Sequence, residues 1–357
     1  MPKHSFGQNF ALDVQRQVSM ADYFLENPFK GPGFDMMSMT ETINIIPNTY
    51  GRIQQAGIFS TKTISTTVVG IEESHGVLNI IPAIKRGSPA TKNITSKRKM
   101  RYFELLHIPH EDQITPEELQ NIRAFGQNTL KQATQEMMDR LITIRRKHDI
   151  TLEYLKMGAM LGEILNADGS TLYNLYDEFD IVKKVIGFST DVATTDIREK
   201  CFGVSRWMED NLMGEVMDFV DVWCSQGFFD ALVGHKAVKE TYLNYAEAAE
   251  KVGGDIRKGF SYGGLRFSEY RAVATTPDGT VRRFIPDGKA IAFPMGTTDS
   301  FKTFFGPGNY ISTVNTIGRE LYARVRFPDD DRSVEIETEQ NPLPICKRPA
   351  LLVHLDA

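Results

Sequence analysis

The chain has 357 residues, 41% of them hydrophobic and 24% charged, with a formal net charge of −5. That apolar fraction supports a sizeable core and excludes global disorder. The negative balance argues against a dedicated nucleic-acid binder, which is usually basic, and no run approaches the roughly 18–20 apolar residues that a membrane span requires. The N-terminus lacks a charged-then-apolar signal pattern, so the sequence reads as a chain that is cytosolic where it is made. Cys201, Cys224 and Cys346 are too few and too scattered for a disulfide framework or a CxxC metal site, and are expected to be reduced, buried thiols. The length allows two domains or one elongated body with arms.

Residues 1–50 carry no sustained periodicity. Asn27-Pro28-Phe29 and Lys30-Gly31-Pro32-Gly33 interrupt any helix, and Met36, Met37 and Met39 cluster behind them, which predicts a tail or an arm. From Ile53 the chain turns strand-like, with β-branched residues over Thr61–Val69 and an apolar run over Val77–Ile84. Between Lys85 and Arg101 lie seven basic residues (Lys85, Arg86, Lys92, Lys97, Arg98, Lys99 and Arg101) and no acid. Tyr102–Ile108 resumes a strand. The pattern predicts a long hairpin with a cationic, Gly/Pro/Ser-containing tip. Arms of about 20 residues at roughly 3.3 Å each would project on the order of 60 Å. A two-stranded ribbon of that kind is marginal alone in water and needs a surface to lie on.

Thr115-Pro116-Glu117-Glu118 marks a helix start: Thr115 suits the N-cap, Pro116 the first turn, and Glu118 the capping-box position. Apolar residues then recur from Leu119 through Leu130, Met137, Leu141, Ile144 and Leu152 to Leu155, mostly at intervals of three, four or seven. They predict an amphipathic helix of about 30 residues or more, with a bend near His148-Asp149 where the stripe fades. Asn166-Ala167-Asp168-Gly169-Ser170 is the turn of a β-hairpin. Asp191–Met213 reads as an amphipathic helix, Glu215–Cys224 as a strand, and Phe228–Gly254 as two helical pieces. Phe260–Gly306 reads as a meander of short strands, punctuated by Pro277-Asp278-Gly279 and Pro286-Asp287-Gly288 and including the apolar run Ala290–Pro294. Glu320–Phe327 and Ser333–Glu339 alternate as strands around an acidic turn, Asp329, Asp330 and Asp331, with Glu335, Glu337 and Glu339 on one face. The mixture of helices and strands gives an α+β class.

Enzymatic constellations are weak. His107-Ile108-Pro109-His110-Glu111-Asp112 offers imidazoles and carboxylates, but Pro109 breaks the i,i+4 spacing that would aim both rings at one ion. Gly263-Gly264 and Gly306-Pro307-Gly308 match no phosphate-cradling pattern, and Ser205 and Ser225 lack a nucleophile elbow. Asp329–Asp331 lacks the spacing of a calcium loop. The sequence therefore predicts no catalytic residue, no cofactor and no metal. Three readings of the basic tip stay open. One is a nucleic-acid patch, weakened by the near absence of interleaved aromatics. The others are a solvated loop and an interface element that meets carboxylates on another subunit.

The stretch Phe260–Gly306, FSYGGLRFSEYRAVATTPDGTVRRFIPDGKAIAFPMGTTDSFKTFFG, resembles the closing β-region of phage major capsid proteins of the lambda-like E family, including its Phe284-Ile285-Pro286-Asp287 element. His235–Glu240 after a strand is similar to a helix of the family's axial domain, and Arg348–Leu355 to its final strand. The order of elements matches from about Ile43 to the end. The resemblance implies an HK97-type fold. Its parts would be an N-terminal arm (1–50), an extended β-hairpin region (51–112), a peripheral domain with a long spine helix (113–185), an axial domain with a central sheet (186–318), and C-terminal strands returning to the peripheral domain (319–357). It also implies self-assembly through pentamers and hexamers into an icosahedral virion shell around double-stranded DNA, with scaffold, portal and decoration proteins as further partners and no membrane. A shell wall facing packaged DNA has reason not to be strongly cationic. Closed rings need heterologous interfaces, and the charges suggest one: Lys97, Arg98, Lys99 and Arg101 against Asp329–Asp331 or Glu335 of a neighbour. A soluble α+β enzyme and a nucleic-acid module using the basic loop are the alternatives.

Overall fold

The computed structural model describes residues 29, 34–48, 51–74, 98–118, 129–241, 256–276, 278–330 and 332–357. Two compact units emerge, each drawn from three separated stretches: 1–49, 106–149 and 305–341 in one, 50–105, 150–304 and 342–357 in the other.

The first unit holds a three-stranded antiparallel sheet in which Val334–Gln340 lies between Tyr322–Arg326 and Ile108–Ile114. The helix Met36–Ile45 begins where Asp35 caps it, its carboxylate accepting from the Met37 and Ser38 amides. The helix then serves the open edge of Tyr322–Arg326. The Thr40 hydroxyl donates to the Ala323 carbonyl and accepts from the Ala323 amide, while the Asn44 amide group does the same for Leu321. Thr40 and Asn44 stand one helical turn apart, so they meet alternate strand residues and take the place of a fourth strand at an edge that would otherwise be free to pair. Ile43, Ile114, Leu141, Ile144 and Ile336 fill the core between helix, sheet and spine.

The reach-back half of the expected capping box is present. The Glu118 carboxylate accepts from the Thr115 amide (2.9 Å) and hydroxyl (3.2 Å), and residues 116–118 are helical. The next described helix, Thr129–Leu161, has 33 residues and a length of about 50 Å at 1.5 Å per residue. Met137, Leu141, Ile144, Leu152 and Leu155 are buried as the periodicity predicts. The helix runs unbroken through His148-Asp149, where the sequence suggests a bend. The stripe fades there because the buried face turns polar.

The second unit is organised around a six-stranded sheet in the order Lys184–Gly187, Val353–Asp356, Lys289–Met295, Phe219–Cys224, Leu265–Glu269, Phe260–Tyr262. Its centre is buried on both faces: Phe219–Cys224 and Lys289–Met295 show almost continuous burial, and Ile197–Asn211 and Gln226–Gly234 pack against them through Val204, Phe228 and Leu232.

Two expectations need correction. The strands of Phe260–Gly306 exist, yet they do not form one meander. Leu265–Glu269 pairs in parallel with Phe219–Cys224, Val273–Thr275 and Val281–Arg283 form a separate hairpin across Asp278-Gly279, and Phe301–Phe305 joins Ser60–Thr63 and Pro342–Cys346 in another sheet. Pro277 lies outside the described residues. The final strand, expected with the strands of 319–341, sits instead inside the six-stranded sheet, between Lys184–Gly187 and Lys289–Met295. In both cases the local strand signal is right and the partner is non-local, which alternation alone does not specify. The three cysteines are free and buried, and burial pushes the Cys201 and Cys346 thiols up to about 12.

Candidate assembly surfaces

The described root of the basic hairpin is an antiparallel pair, Val68–Ser74 with Arg98–Glu104. Alternation puts Lys99, Arg101 and Phe103 on one face and Met100 and Tyr102 on the other. Phe103 is buried between the rings of Tyr173 (5.6 Å, edge-on) and Phe179 (5.8 Å, stacked). Arg101 lies over Phe179 and reaches the Asp180 carboxylate (3.0 Å) and the Glu178 carbonyl, and Lys99 meets the same carboxylate at 2.7 Å. These two cations hold the Asp180 carboxyl below the usual carboxylate range. The Tyr173 hydroxyl closes the clamp, accepting from the Glu104 amide and donating to the Glu104 carbonyl. Met100 and Tyr102 face solvent. Lys99 and Arg101, expected to reach a neighbouring subunit, are thus engaged within their own chain. Lys85, Arg86, Lys92 and Lys97 lie outside the described residues, as does Asp331, and Arg98 is described in its backbone alone.

On the acidic side, cross-strand register places Arg326 opposite Glu335 and Arg324 opposite Glu337, and both pairs close into ion pairs at 2.6 and 2.5 Å. Glu335 is therefore also met within the chain. Asp329 and Asp330 are exposed at the turn, where the Asp330 carboxylate accepts from the Arg332 amide.

The sequence reading missed the polar buried face of the spine helix. Arg145, Asp149, Glu153 and Lys156 recur at intervals of four, four and three, which places them on one side of a helix, and all four are almost wholly buried. That spacing was the available signal. Arg145 pairs with Asp149 (3.0 Å) and with Glu320 (2.5 Å). Glu153 accepts from the Ile53 amide (2.7 Å) and the Tyr270 hydroxyl (3.2 Å), and burial raises its carboxyl above the usual range. Gly51 makes that approach possible, since a Cβ there would run into the Glu153 carboxyl and its φ is +102°. Lys156 donates to the Gln54 side-chain carbonyl at 2.5 Å. Nearer the start, Arg140 gathers Asp112, Glu118 and Glu136, tying the capping box and the strand Ile108–Ile114 to the spine.

His148 belongs to the same face. Its Nε2 meets the Thr338 hydroxyl at 3.0 Å, and the hydroxyl in turn donates to the His110 carbonyl. His110 Nε2 faces the Lys147 ammonium at 3.1 Å. Burial, followed by the nearby charges of His110, Arg145 and Lys147, lowers the His148 imidazole to about 3. The folded chain therefore holds it neutral, while the unfolded chain protonates it below the ordinary 6.5. Its stability contribution is complete above about pH 6.5 and is lost as pH falls from there toward 3. For this group alone, urea midpoints measured at pH 7 and pH 5 should differ by about 2 kcal/mol in unfolding free energy. In His148→Gln that part of the slope should vanish, and an unchanged slope would refute the assignment.

His107 Nδ1 bonds the Asn341 side-chain oxygen (2.8 Å), while His110 is turned to Lys147. Among the described residues, no group of three His, Cys, Asp or Glu side chains is placed to hold a metal ion, and no helix is long and apolar enough to cross a membrane. The site consists of clamps, edges and ion pairs.

A family profile described as "Phage major capsid protein E" matches residues 35–357. The chain belongs to this family. It is 33% identical over 336 residues to the major capsid protein of Pseudomonas phage KPP10, covering 90% of this chain and 96% of that protein. It is 29% identical over 356 residues to the major capsid protein of Salmonella phage Felix O1, covering 91% and 96%. Among solved structures, a prophage capsid protein of E. coli CFT073 superposes with a TM-score of 0.53 at 15% identity, covering 90% of this chain and 98% of that one. The fold is the α+β HK97-type capsid fold, as the sequence resemblance implied.

Proposed function

We propose that this capsid chain self-assembles through pentamers and hexamers into the icosahedral head of a tailed phage, enclosing double-stranded DNA. The single observation that carries this reading is the family match along 35–357, which spans both units. The role is structural, with no catalytic step. Assembly takes place in the host cytoplasm, and scaffold, portal and decoration proteins are the further partners.

The organisation within the shell is part of the same proposal: an N-terminal arm ahead of Phe29, a projecting hairpin rooted in the pair Val68–Ser74 and Arg98–Glu104, a peripheral part around the spine helix, and an axial part around the six-stranded sheet. The hairpin tip, with Lys85, Arg86, Lys92, Lys97 and Arg98, meets Asp329–Asp331 of the next subunit, while Lys99 and Arg101 fix the hairpin's root on Asp180. A projecting element on one copy and an acidic turn on the next make a head-to-tail contact of the kind closed rings require. Many such contacts compound, because each turns the following ones into intramolecular events.

Negative-stain microscopy of the expressed chain, alone and with the neighbouring genes of its genome, tests the reading. Shells, tubes or five- and six-membered rings are expected. Uniformly small particles under both conditions would defeat it.

A further inference from the structure

In the first unit, the segment 311–318 and the first turns of Met36–Ile45 enclose a cleft of about 520 Å³. Met36, Met37, Ile317 and Tyr322 line it, and the Ser312 hydroxyl touches the Met36 sulfur at 3.2 Å, which joins the two segments into one surface. In the lining Ile317 is 69% exposed and Met37 66%, and Ile311 (94%) and Val314 (61%) face solvent on either side of the lining residues Ser312 and Thr313. Isolated exposed apolar residues are ordinary, but several gathered on one surface mark an interaction site.

The backbone beneath these side chains is held firmly. The Thr313 hydroxyl donates toward the Gly308 and Tyr310 carbonyls and accepts from the Tyr310 amide, and the Thr316 hydroxyl donates to the Thr313 carbonyl. Asn315 takes a left-handed conformation, φ +59°. At the far end Gly318 lies so close to the Phe305 and Gly306 backbone that a Cβ would collide with it. The segment is fixed by its own polar groups while its isoleucines and valine point outward. That is a preorganised surface, which loses little conformational entropy on association.

We propose that this patch is a contact between copies of the chain, filled in the shell by apolar side chains of a neighbouring subunit. The proposal rests on the assembly reading above. Charge selects the occupant. Packaged nucleic acid would be met by clustered cations, whereas Arg319 is the one charged residue among those lining the cleft. A charge-poor, apolar centre is the composition of an interface core, and in a shell tiled by repeated copies of this chain the surface that meets every subunit is another copy.

Two measurements on the full chain decide it. The first is hydroxyl-radical labelling of purified heads and of free subunits. Ile311, Ile317 and Met37 should be protected in heads by at least about tenfold, as residues at the centre of an interface are. The second is the variant Ile311→Asp/Ile317→Asp, whose sites are exposed in the subunit. It should keep the subunit's circular dichroism and urea midpoint while head yield falls at least about tenfold, the change produced by ~1.4 kcal/mol of lost contact energy. Equal labelling in heads and free subunits would overturn the proposal even if the variant failed to assemble. Wild-type head yield from the variant would overturn it as well. Absence of this chain from purified heads would overturn the assembly reading, and the patch with it.

Discussion

Replacing Arg145 by methionine is expected to destabilise the folded subunit by about 3–5 kcal/mol, the range for removing one partner of a buried ion pair. Its two carboxylate partners differ in what happens next. The side chain of Glu320 is 37% exposed and returns to water at little cost, whereas that of Asp149 is 2% exposed and loses the Arg145 charge inside the fold, where water does not replace it. The penalty therefore comes chiefly from Asp149. The double variant Arg145→Met/Asp149→Leu removes the charge along with the cation and should recover most of the loss, because a buried pair gains little over well-packed apolar residues once both desolvation costs are counted. Urea unfolding of the three proteins measures this as a mutant cycle. A single variant with wild-type stability, or a double variant no better than the single, would rule out the ionic explanation.

Charge reversal of the hairpin should separate into two phenotypes according to position. Lys92→Glu/Lys97→Glu is expected to abolish shell formation at physiological salt and leave the subunit's unfolding midpoint unchanged. Exposed ion pairs contribute only ~0–1 kcal/mol each, so the effect on the fold is small, while repeated like-charge contacts around a ring add up and are screened by salt. Lys99→Glu/Arg101→Glu acts at the root instead. It sets two carboxylates against Asp180 and strips Arg101 from the Phe179 ring, so faster amide exchange over 98–104 should appear in the isolated subunit before any assembly. Shells of normal yield from the tip variant would refute the intersubunit pairing. Unchanged exchange in the root variant would refute the clamp.

The elements legible in the sequence were those whose determinants lie within a few residues. The Thr115–Glu118 box, the hairpin turning at Asp168-Gly169 and the strand pair on either side of Asp329-Asp330 each form from neighbours in the chain, where turn and capping chemistry act directly. The resemblance carried the fold type. The pairing of Lys99 and Arg101 with Asp180 was not legible, because Asp180 lies about 80 positions from both and composition offered Asp329–Asp331 as an equally good set of anions. A count of charges ranks partners by sign, and only the folded chain ranks them by distance.

The spine helix shows the division most clearly. Its sequence determined by itself that a long helix forms, since periodicity and capping are local, and its spacing of Arg145, Asp149, Glu153 and Lys156 determined that these four share a side. Whether that side faced water or the interior depended on Glu320, Ile53, Gln54 and Tyr270, which arrive from remote segments and supply the hydrogen bonds and opposite charges without which burial would be prohibitively unfavourable. Likewise the strands Phe219–Cys224 and Leu265–Glu269 were determined locally, and their parallel pairing only by the tertiary structure. Backbone hydrogen bonding is the same for every strand, so the choice of partner is made by which buried faces fit together.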